Sequence, residues 1–346
     1  MTDSPAGLWR GLARATALIL AGVTALATTA FGAGDEQELL AAYTRPAAVP
    51  YPQENAWSPA RERLGRTLFF DPRLSAKGNM SCGTCHNPSF AWGDGLPKAI
   101  GHGMNTLGRR TPTILNLAWG AAFFWDGRAA SLEEQALGPI AAPGEMNLPL
   151  GDLITKLTRV PEYAPLFEAA YPGEPISAQT VSRAIATFER SVVSGRAPFD
   201  RWVGGEDRAL SPAARRGFVL FNTKASCNTC HEGWRFTDDS FHDVGLGGED
   251  RGRGSILTDI DVLQFAFKTP TLRNVDRRAP YMHDGSKATL EEVVAFYNRG
   301  GDVKRSSLAD EIQPLHLSKA EEQDLVEFLR TLTSVDPGVE LPAAPR

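Results

Sequence analysis

The sequence predicts a mainly α-helical, loop-rich protein made of two homologous domains. Three observations carry this prediction: amphipathic runs with apolar residues three and four apart, almost no alternating strand pattern, and motifs that recur at a fixed spacing. The chain has 346 residues, of which 42% are hydrophobic and 22% charged, so it can bury the cores of two ordinary domains. Its 33 glycines and 24 prolines follow no period, which indicates loops rather than a fibrous repeat.

The first 33 residues have the pattern of a secretory signal peptide. Arg10 and Arg14 flank the start of an apolar run over residues 15–27, which ends in small residues near Ala30 and Ala33. This run is shorter than the roughly 20 residues that span a bilayer, which disfavours an uncleaved anchor. We therefore predict export to the periplasm. Residues 34–55 begin with a helical pattern, become proline-rich, and are expected to be a lead-in that wraps onto the body.

Two helix starts of the same kind each lead into a cysteine pair. The runs beginning at Ser58 and Ser211 have serine as N-cap and proline in the first turn. The first run leads to CGTCH at residues 82–86, and the second leads to CNTCH at residues 227–231.

A second repeat follows each cysteine pair and aligns without a gap. TPTILN at 111–116 matches TPTLRN at 269–274, WDG at 125–127 matches HDG at 283–285, and LEE at 132–134 matches LEE at 290–292. Self-similarity of this extent indicates a duplicated unit of roughly 150 residues, which is longer than solenoid repeats. We predict an N-terminal domain at residues 56–195 and a C-terminal domain at residues 196–340.

The C-x-x-C-H motif is typical of covalent c-type haem attachment. Two thiols add across the porphyrin vinyl groups, and the adjacent histidine can supply the proximal nitrogen to iron. The candidate residues are Cys82, Cys85 and His86 in the first copy and Cys227, Cys230 and His231 in the second. Each domain is therefore expected to be a cytochrome c-like haem domain.

Other uses of this cysteine spacing are a Cys₄ zinc site, a pair of redox C-x-x-C sites, or two disulfides. The predicted export, the histidine at the same offset in both copies and the duplication centred on them favour haem. Disulfides inside such short rings are strained.

The ligand on the other side of each iron decides between electron transfer and peroxide chemistry. Pattern alone does not choose among the candidates, which are His102, His242, His283, His316, Tyr297 and five methionines.

With these residues in place, the chain resembles the bacterial di-haem cytochrome c peroxidase family, which includes MauG-type enzymes that oxidise a partner protein. The resemblance spans about residues 40–335. It rests on the motifs LGRTLFFDPRLS, CGTCHNP, FFWDGRA, SLEEQALGP, SCNTCHEG, TPTLRN, PYMHDGS and TLEEVVAFYN.

The resemblance implies a role for six residues. His86 would be the proximal ligand of the peroxide-reacting N-terminal haem, and His231 that of the second haem. His102 would be a removable distal histidine that blocks the first iron at rest, and Trp125 would lie between the haems and serve electron transfer. Gln135 and Glu145 would hold and deprotonate peroxide.

Tyr297 is an informative departure from the peroxidases. It lies fourteen residues after the histidine of the HDG motif, where peroxidases of the family carry methionine and MauG-type enzymes carry tyrosine. Phenolate favours ferric and higher iron, so the resemblance implies a second haem of low potential that could store an oxidising equivalent as ferryl. Met282 is expected to pack rather than ligate, and neither His283 nor His242 is expected to be a ligand.

A second departure concerns calcium. The family binds calcium between the domains through an asparagine side chain and nearby carbonyls, and Arg110 occupies the asparagine position. A guanidinium repels a hard cation, so a calcium site is not favoured.

These observations favour a periplasmic peroxidase that reduces hydrogen peroxide to water, with electrons from a small c-type cytochrome or cupredoxin. One alternative is a MauG-type enzyme that modifies a tryptophan of a partner protein, and another is a non-catalytic di-haem electron carrier. A homodimer is possible. The formal charge of −5 argues against a nucleic-acid partner.

Overall fold

The computed structural model describes residues 33–336 and 338–345, so the predicted signal peptide lies outside the described residues except for its last position. The helices are α1 (Ala33–Ala42), α2 (Pro59–Phe69), α3 (Cys82–Cys85), α4 (Leu132–Ala141), α5 (Leu150–Thr158), α6 (Tyr163–Ala170), α7 (Ala178–Ser191), α8 (Pro198–Val203), α9 (Pro212–Asn222), α10 (Leu290–Asn298) and α11 (Lys319–Arg330). Strands β1 (Phe241–His242) and β2 (Phe267–Lys268) pair antiparallel. The predicted helical class is confirmed. No helix in the described ranges has the length and apolar character needed to cross a membrane.

The two serine N-caps predicted from the sequence are confirmed. The Ser58 hydroxyl accepts the backbone N–H of Arg61 at 3.2 Å at the start of α2, and the Ser211 hydroxyl accepts that of Ala214 at 3.1 Å at the start of α9. In both helices proline fills the first turn, where no helical N–H is needed.

Each half is organised around a close crossing of two helices. A Cβ added at Gly65 of α2 would lie 1.9 Å from the carbonyl oxygen of Ala184 in α7. A Cβ added at Gly217 of α9 would lie 2.0 Å from the carbonyl oxygen of Asp324 in α11. In each half, therefore, only glycine lets the two backbones approach this closely.

Two apolar clusters fill the two halves. The first includes Leu64, Phe69, Tyr163, Ile185 and Phe188. The second includes Phe199, Phe218, Phe221, Phe236 and Phe328, whose rings meet edge to face. Edge-to-face aromatic contacts add to the area term of burial, so each half has a core of its own.

The lead-in, residues 34–55, contacts both halves of the protein. The ring of Tyr43 stacks on Phe236 in the second cluster, and its hydroxyl donates to Asn222 at 2.7 Å. Asn55 donates to the carbonyl oxygen of Arg183 on α7 at 2.8 Å. The segment therefore passes from the second half to the first. The internal duplication and the boundary between 195 and 196 remain predictions.

Candidate functional site

A cavity of about 830 Å³ lies between the two halves, and both C-x-x-C-H motifs line it. The residues that also line it include Trp125, Gln135, Glu145 and Tyr297. All four cysteines are free thiols. The structure thus brings both motifs and most of the candidate site residues to one apolar space.

The two motif histidines are held in the same way. Nδ1 of His86 lies 3.2 Å from the carbonyl oxygen of Trp92, and Nδ1 of His231 lies 2.8 Å from that of Phe236. Because a carbonyl only accepts, Nδ1 carries the proton, which leaves Nε2 as the ring nitrogen for a metal. Burial lowers the pKa of both imidazoles, so both are neutral, as a ligand must be.

The carbonyls that orient these histidines come from strained backbone. Trp92 has φ of 64° and Phe236 has φ of 55°, both in the left-handed region that such residues rarely adopt. Each turn therefore fixes a carbonyl beside its histidine at some conformational cost, which is common at functional sites.

The cysteines suit covalent attachment better than a Cys₄ zinc site. Burial raises the pKa of the Cys82 and Cys227 thiols, the latter to about 12, which disfavours the thiolates that zinc requires. In the described part of the chain, the one group of side chains spaced to hold a metal is Cys230, Asp238 and His242, which contains a single cysteine. The four cysteines therefore do not form a zinc cluster.

Glu145 and Gln135 lie together on the wall of the N-terminal part of the cavity. Gln135 projects from α4, and Glu145 follows that helix in a turn where its N–H donates to the carbonyl oxygen of Ala142 at 3.0 Å. Burial raises the pKa of the Glu145 carboxyl, and the nearby Arg128 charge partly opposes this. Among the described residues, neither side chain hydrogen-bonds another, so both are available to a bound molecule.

His102 is placed differently from the expectation. Its backbone N–H donates to the carbonyl oxygen of Glu145 at 2.8 Å, but its side chain is not part of the cavity wall. Gly101 does line the cavity, and a Cβ there would lie 1.9 Å from the carbonyl oxygen of Gly144. The loop thus packs through its backbone, and ligation by His102 remains a prediction.

Tyr297 lies in the C-terminal part of the cavity. It is near the end of α10, where Phe296 points into the core and Tyr297 lines the cavity wall. Burial, reinforced by Cys230 and Cys227 close by, raises the pKa of its phenol. Since no described residue hydrogen-bonds its hydroxyl, the oxygen is free to bind a metal.

Trp125 lies where the two halves meet. Its indole N–H donates to the carbonyl oxygen of Arg110 at 2.8 Å, and its ring meets His283 edge to face with centroids 6.4 Å apart. His283 in turn stacks on Phe267 at 3.5 Å, and burial lowers its pKa to about 4. Trp125 is therefore a fixed aromatic group at the junction. His283 packs there between Trp125 and Phe267, and its exclusion as a ligand remains a prediction.

Charged side chains bind the two halves together around Trp125. Arg109 forms a bidentate ion pair with Asp250, in which its Nε lies 2.6 Å from Oδ2 of Asp250. Its Nη1 also donates to Oδ2 of Asp126 at 2.6 Å. Arg253 donates to the carbonyl oxygen of Gly127 at 2.6 Å. The Arg109–Asp250 and Arg253–Gly127 contacts join residues more than 100 positions apart, so they hold the junction in one arrangement.

The calcium position does not fit calcium. Arg110 is 6% exposed, and its guanidinium donates to the carbonyl oxygen of Arg278. The side chain at this position is therefore itself a cation and cannot act as a ligand for calcium. That no calcium binds remains a prediction. Sequence reasoning missed Arg278, which lies beside Arg110 but 168 positions away, and no local pattern could have revealed it.

Glu189 is a second residue that sequence reasoning missed. It is 4% exposed, lines the cavity near Cys82, and its Oε2 has no hydrogen-bond partner. Burial raises its pKa to about 8. The sequence did contain a sign that Glu189 is buried, because it lies on the apolar face of α7, four residues after Ile185 and three before Val192.

The residues present fit a tethered haem at each motif. Each copy offers two free thiols, a histidine with Nδ1 engaged, and an apolar wall. The same cavity wall also offers Gln135 and Glu145 in the first half and the phenol of Tyr297 in the second.

Comparison with known proteins gives concordant results. Residues 59–208 match the family model described as di-haem cytochrome c peroxidase. The methylamine utilization protein MauG of Methylorubrum extorquens is 49% identical over 96% of this chain and 97% of its own length. Cytochrome c551 peroxidase of Nitrosomonas europaea is 35% identical over 82% of each chain. The crystal structure of a MauG-like protein associated with microbial copper homeostasis superposes with a TM-score of 0.78 at 32% identity, covering 84% of this chain and 94% of that one.

Proposed function

Because this chain belongs to the di-haem cytochrome c peroxidase and MauG family, we propose that it is a MauG-type enzyme that uses hydrogen peroxide to oxidise a partner protein. The family carries two c-type haems, which supply iron that reacts with peroxide and iron that passes electrons. In this proposal peroxide is consumed beside His86, and electrons arrive from an aromatic side chain of the partner through the half that holds His231 and Tyr297.

Tyr297 is the observation that carries the proposal. Its phenol lies in the cavity beside the second cysteine pair and has no hydrogen-bond partner among the described residues. A phenolate ligand favours oxidised iron, whereas a thioether favours reduced iron. Tyr297 therefore suits a haem site that oxidises a donor that is difficult to oxidise. It suits less well a haem site that a high-potential cytochrome keeps reduced.

Glu145 is assigned the proton transfer at the peroxide site. Its raised pKa makes its carboxylate a better proton acceptor than an exposed glutamate. It can take the proton from the near oxygen of peroxide and return it to the departing oxygen, which leaves as water. Gln135, on the same wall, can donate its amide N–H to the bound oxygen and hold it in place.

Trp125 is assigned the link between the halves. The hydrogen bond from its indole to Arg110 and its contact with His283 fix the ring at the junction. Its indole N–H is already engaged, so the ring can lose and regain an electron without moving. The function of this group is to connect the two parts of the cavity, not to bind peroxide.

A second candidate is a cytochrome c peroxidase with a small c-type cytochrome or cupredoxin as donor. The loop of His102 favours it, because the backbone N–H of His102 donates to the carbonyl oxygen of Glu145, which places this loop next to the proposed peroxide site. Relatives named cytochrome c peroxidase, such as that of Nitrosomonas europaea, also favour it. Either enzyme would act in the periplasm.

The two candidates differ in their electron source. We expect hydrogen peroxide to be consumed rapidly when a precursor protein with an unmodified tryptophan is supplied, and at least about tenfold more slowly with reduced cytochrome c. Rapid steady turnover with cytochrome c alone would contradict the MauG-type assignment. A non-catalytic carrier would show no response of either haem to peroxide.

The ligand assignment has its own test. In the ferric holoprotein, Tyr297→Met should change the low-spin EPR signal and raise the reduction potential of one haem, because a thioether replaces an anionic oxygen. Tyr281→Phe is the matched control, since Tyr281 also lines the cavity but donates its hydroxyl to the carbonyl oxygen of Val275. An EPR spectrum of Tyr297→Met identical to wild type would refute the assignment.

A further inference from the structure

Two buried arginines lie side by side on the cavity wall without a counter-ion from the protein. Arg110 and Arg278 are each 6% exposed, and both line the cavity shared by the two C-x-x-C-H motifs. Arg110 comes from the first half and Arg278 from the second, so the pair spans the junction.

Their hydrogen bonds within the chain are few and go to backbone carbonyls. Arg110 donates to the carbonyl oxygen of Arg278, and Arg278 donates to that of Thr271. The Nε atoms of both are buried and unpartnered. By contrast, buried Arg273 forms an ion pair with Asp200 at 2.9 Å.

The surrounding charges do not neutralise the pair. Burial is the main cause that lowers the pKa of both groups, and the charge of Arg110 lowers that of Arg278 further, to about 9. Asp94 acts on Arg110 in the opposite sense, but it forms no ion pair with either arginine and accepts from Thr111 at 2.6 Å. Two desolvated cations side by side are costly unless an anion joins them. The cavity must therefore supply negative charge.

We propose that Arg110 and Arg278 bind the propionate carboxylates of the two haems across the junction, and that their charges replace the divalent cation held there in the family. Carboxylates match the planar guanidinium fork, which offers several N–H donors at once. Both arginines line the space that the macrocycles must fill. The assignment holds whichever electron source the enzyme uses.

The same geometry removes the donor set for calcium. A hard cation needs several oxygen ligands, yet the carbonyl of Arg278 already accepts a guanidinium N–H, and the carbonyl of Arg110 accepts the Trp125 indole. A chelator can remove a bound cation, but it cannot remove the positive charges of Arg110 and Arg278, which belong to the chain. The junction is therefore calcium-independent.

Two experiments on the holoprotein test the two parts of the proposal. For the carboxylates, resonance Raman spectra should show shifted propionate bending bands in Arg110→Gln and Arg278→Gln, with a lower reduction potential, because a nearby positive charge stabilises reduced iron. Arg277→Gln is the matched control, since Arg277 is adjacent in sequence but exposed. Unchanged bands in both buried variants, or bands that respond to chloride instead, would overturn the assignment.

For the cation, wild-type protein dialysed against EDTA should contain no calcium, and its EPR spectrum should not change when calcium chloride is added. One equivalent of retained calcium, or a spectral response to it, would overturn the replacement. Should the glutamine variants fail to mature, Arg110→Lys and Arg278→Lys keep the charge but lose the fork. They should then give smaller band shifts, and no shift in either would contradict carboxylate binding.

Discussion

Helices α4 and α10 begin with the same capping interactions but present different side chains to the cavity. Ser131 and Thr289 cap them, and Glu134 and Glu292 return their carboxylates to the backbone N–H just before each cap, at 2.8 and 2.7 Å. The cavity-lining positions then differ, with Gln135 and Pro139 on α4 but Val293 and Tyr297 on α10. The two pairs occupy the same places in their helices, so two differences on one face separate the site proposed to be open from the site proposed to be ligated.

Helices α7 and α11, which pack against α4 and α10, show a similar contrast. A Cβ at Gly65 would meet Phe188, and one at Gly217 would meet Phe328, which makes these phenylalanines equivalent. The next residues are Glu189 in α7 and Leu329 in α11, and both line the cavity. The N-terminal half thus carries a buried carboxyl where the C-terminal half carries a hydrocarbon. At this position the half assigned to peroxide is therefore the more polar.

The largest expected effect concerns the polar wall of the first half. Glu145→Gln should slow the reaction with hydrogen peroxide by about 10²- to 10⁴-fold, because an amide cannot accept the proton. Stopped-flow absorbance of the haem measures the rate. Glu134→Gln changes a carboxylate of α4 that accepts the backbone N–H of Ala130, and should leave the rate unchanged. An unaltered rate in Glu145→Gln would place proton transfer elsewhere.

The next effect tests whether position 139 keeps the first site open. Pro139→Tyr places a phenol where α10 carries Tyr297, so the reaction with peroxide should slow by about tenfold or more, equivalent to at least about 1.4 kcal/mol of competition. The high-spin EPR signal of the ferric protein should fall in parallel. Pro139→Ala offers no ligand and should keep the signal. Retention of the full high-spin signal in Pro139→Tyr would break the equivalence of the two helices.

A smaller effect is expected to be shared by the two halves. Gly65→Ala and Gly217→Ala should each lower the free energy of unfolding by about 1–3 kcal/mol, because the new Cβ would overlap a carbonyl oxygen of the crossing helix. Urea unfolding of the holoprotein measures this. Gly151→Ala in α5, where a Cβ meets nothing within 4 Å, should instead stabilise by about 0.5–1 kcal/mol. Tolerance of alanine at one crossing only would show that the crossings differ.

The last effect is a pH dependence that is expected in the first half only. The Glu189 pKa of about 8 lies above its ordinary value of 4.5, so the folded protein holds a proton that the unfolded chain has released. The proton on Glu189 therefore adds to the free energy of unfolding. This stabilisation is fully present below about pH 4.5 and is lost as the pH rises toward 8, at up to about 1.4 kcal/mol per pH unit. Urea unfolding at pH 5.5 and 7.5 should show a flatter dependence in Glu189→Gln but not in exposed Glu54→Gln. Equal slopes in all three proteins would mean that Glu189 is ionised in the fold.

The sequence by itself determined the features that consecutive residues encode. The C-x-x-C-H motifs, the serine and proline helix starts, the helical class and the resemblance of Tyr297 to MauG-type enzymes all depend on short spacings along the chain, where local chemistry suffices. The tertiary structure alone decided which distant groups share one desolvated space. It placed Arg110 beside Arg278, buried Glu189 without a partner, and left the His102 side chain off the cavity wall. Desolvation and charge pairing depend on distances through space, and these are fixed only when the two halves pack together.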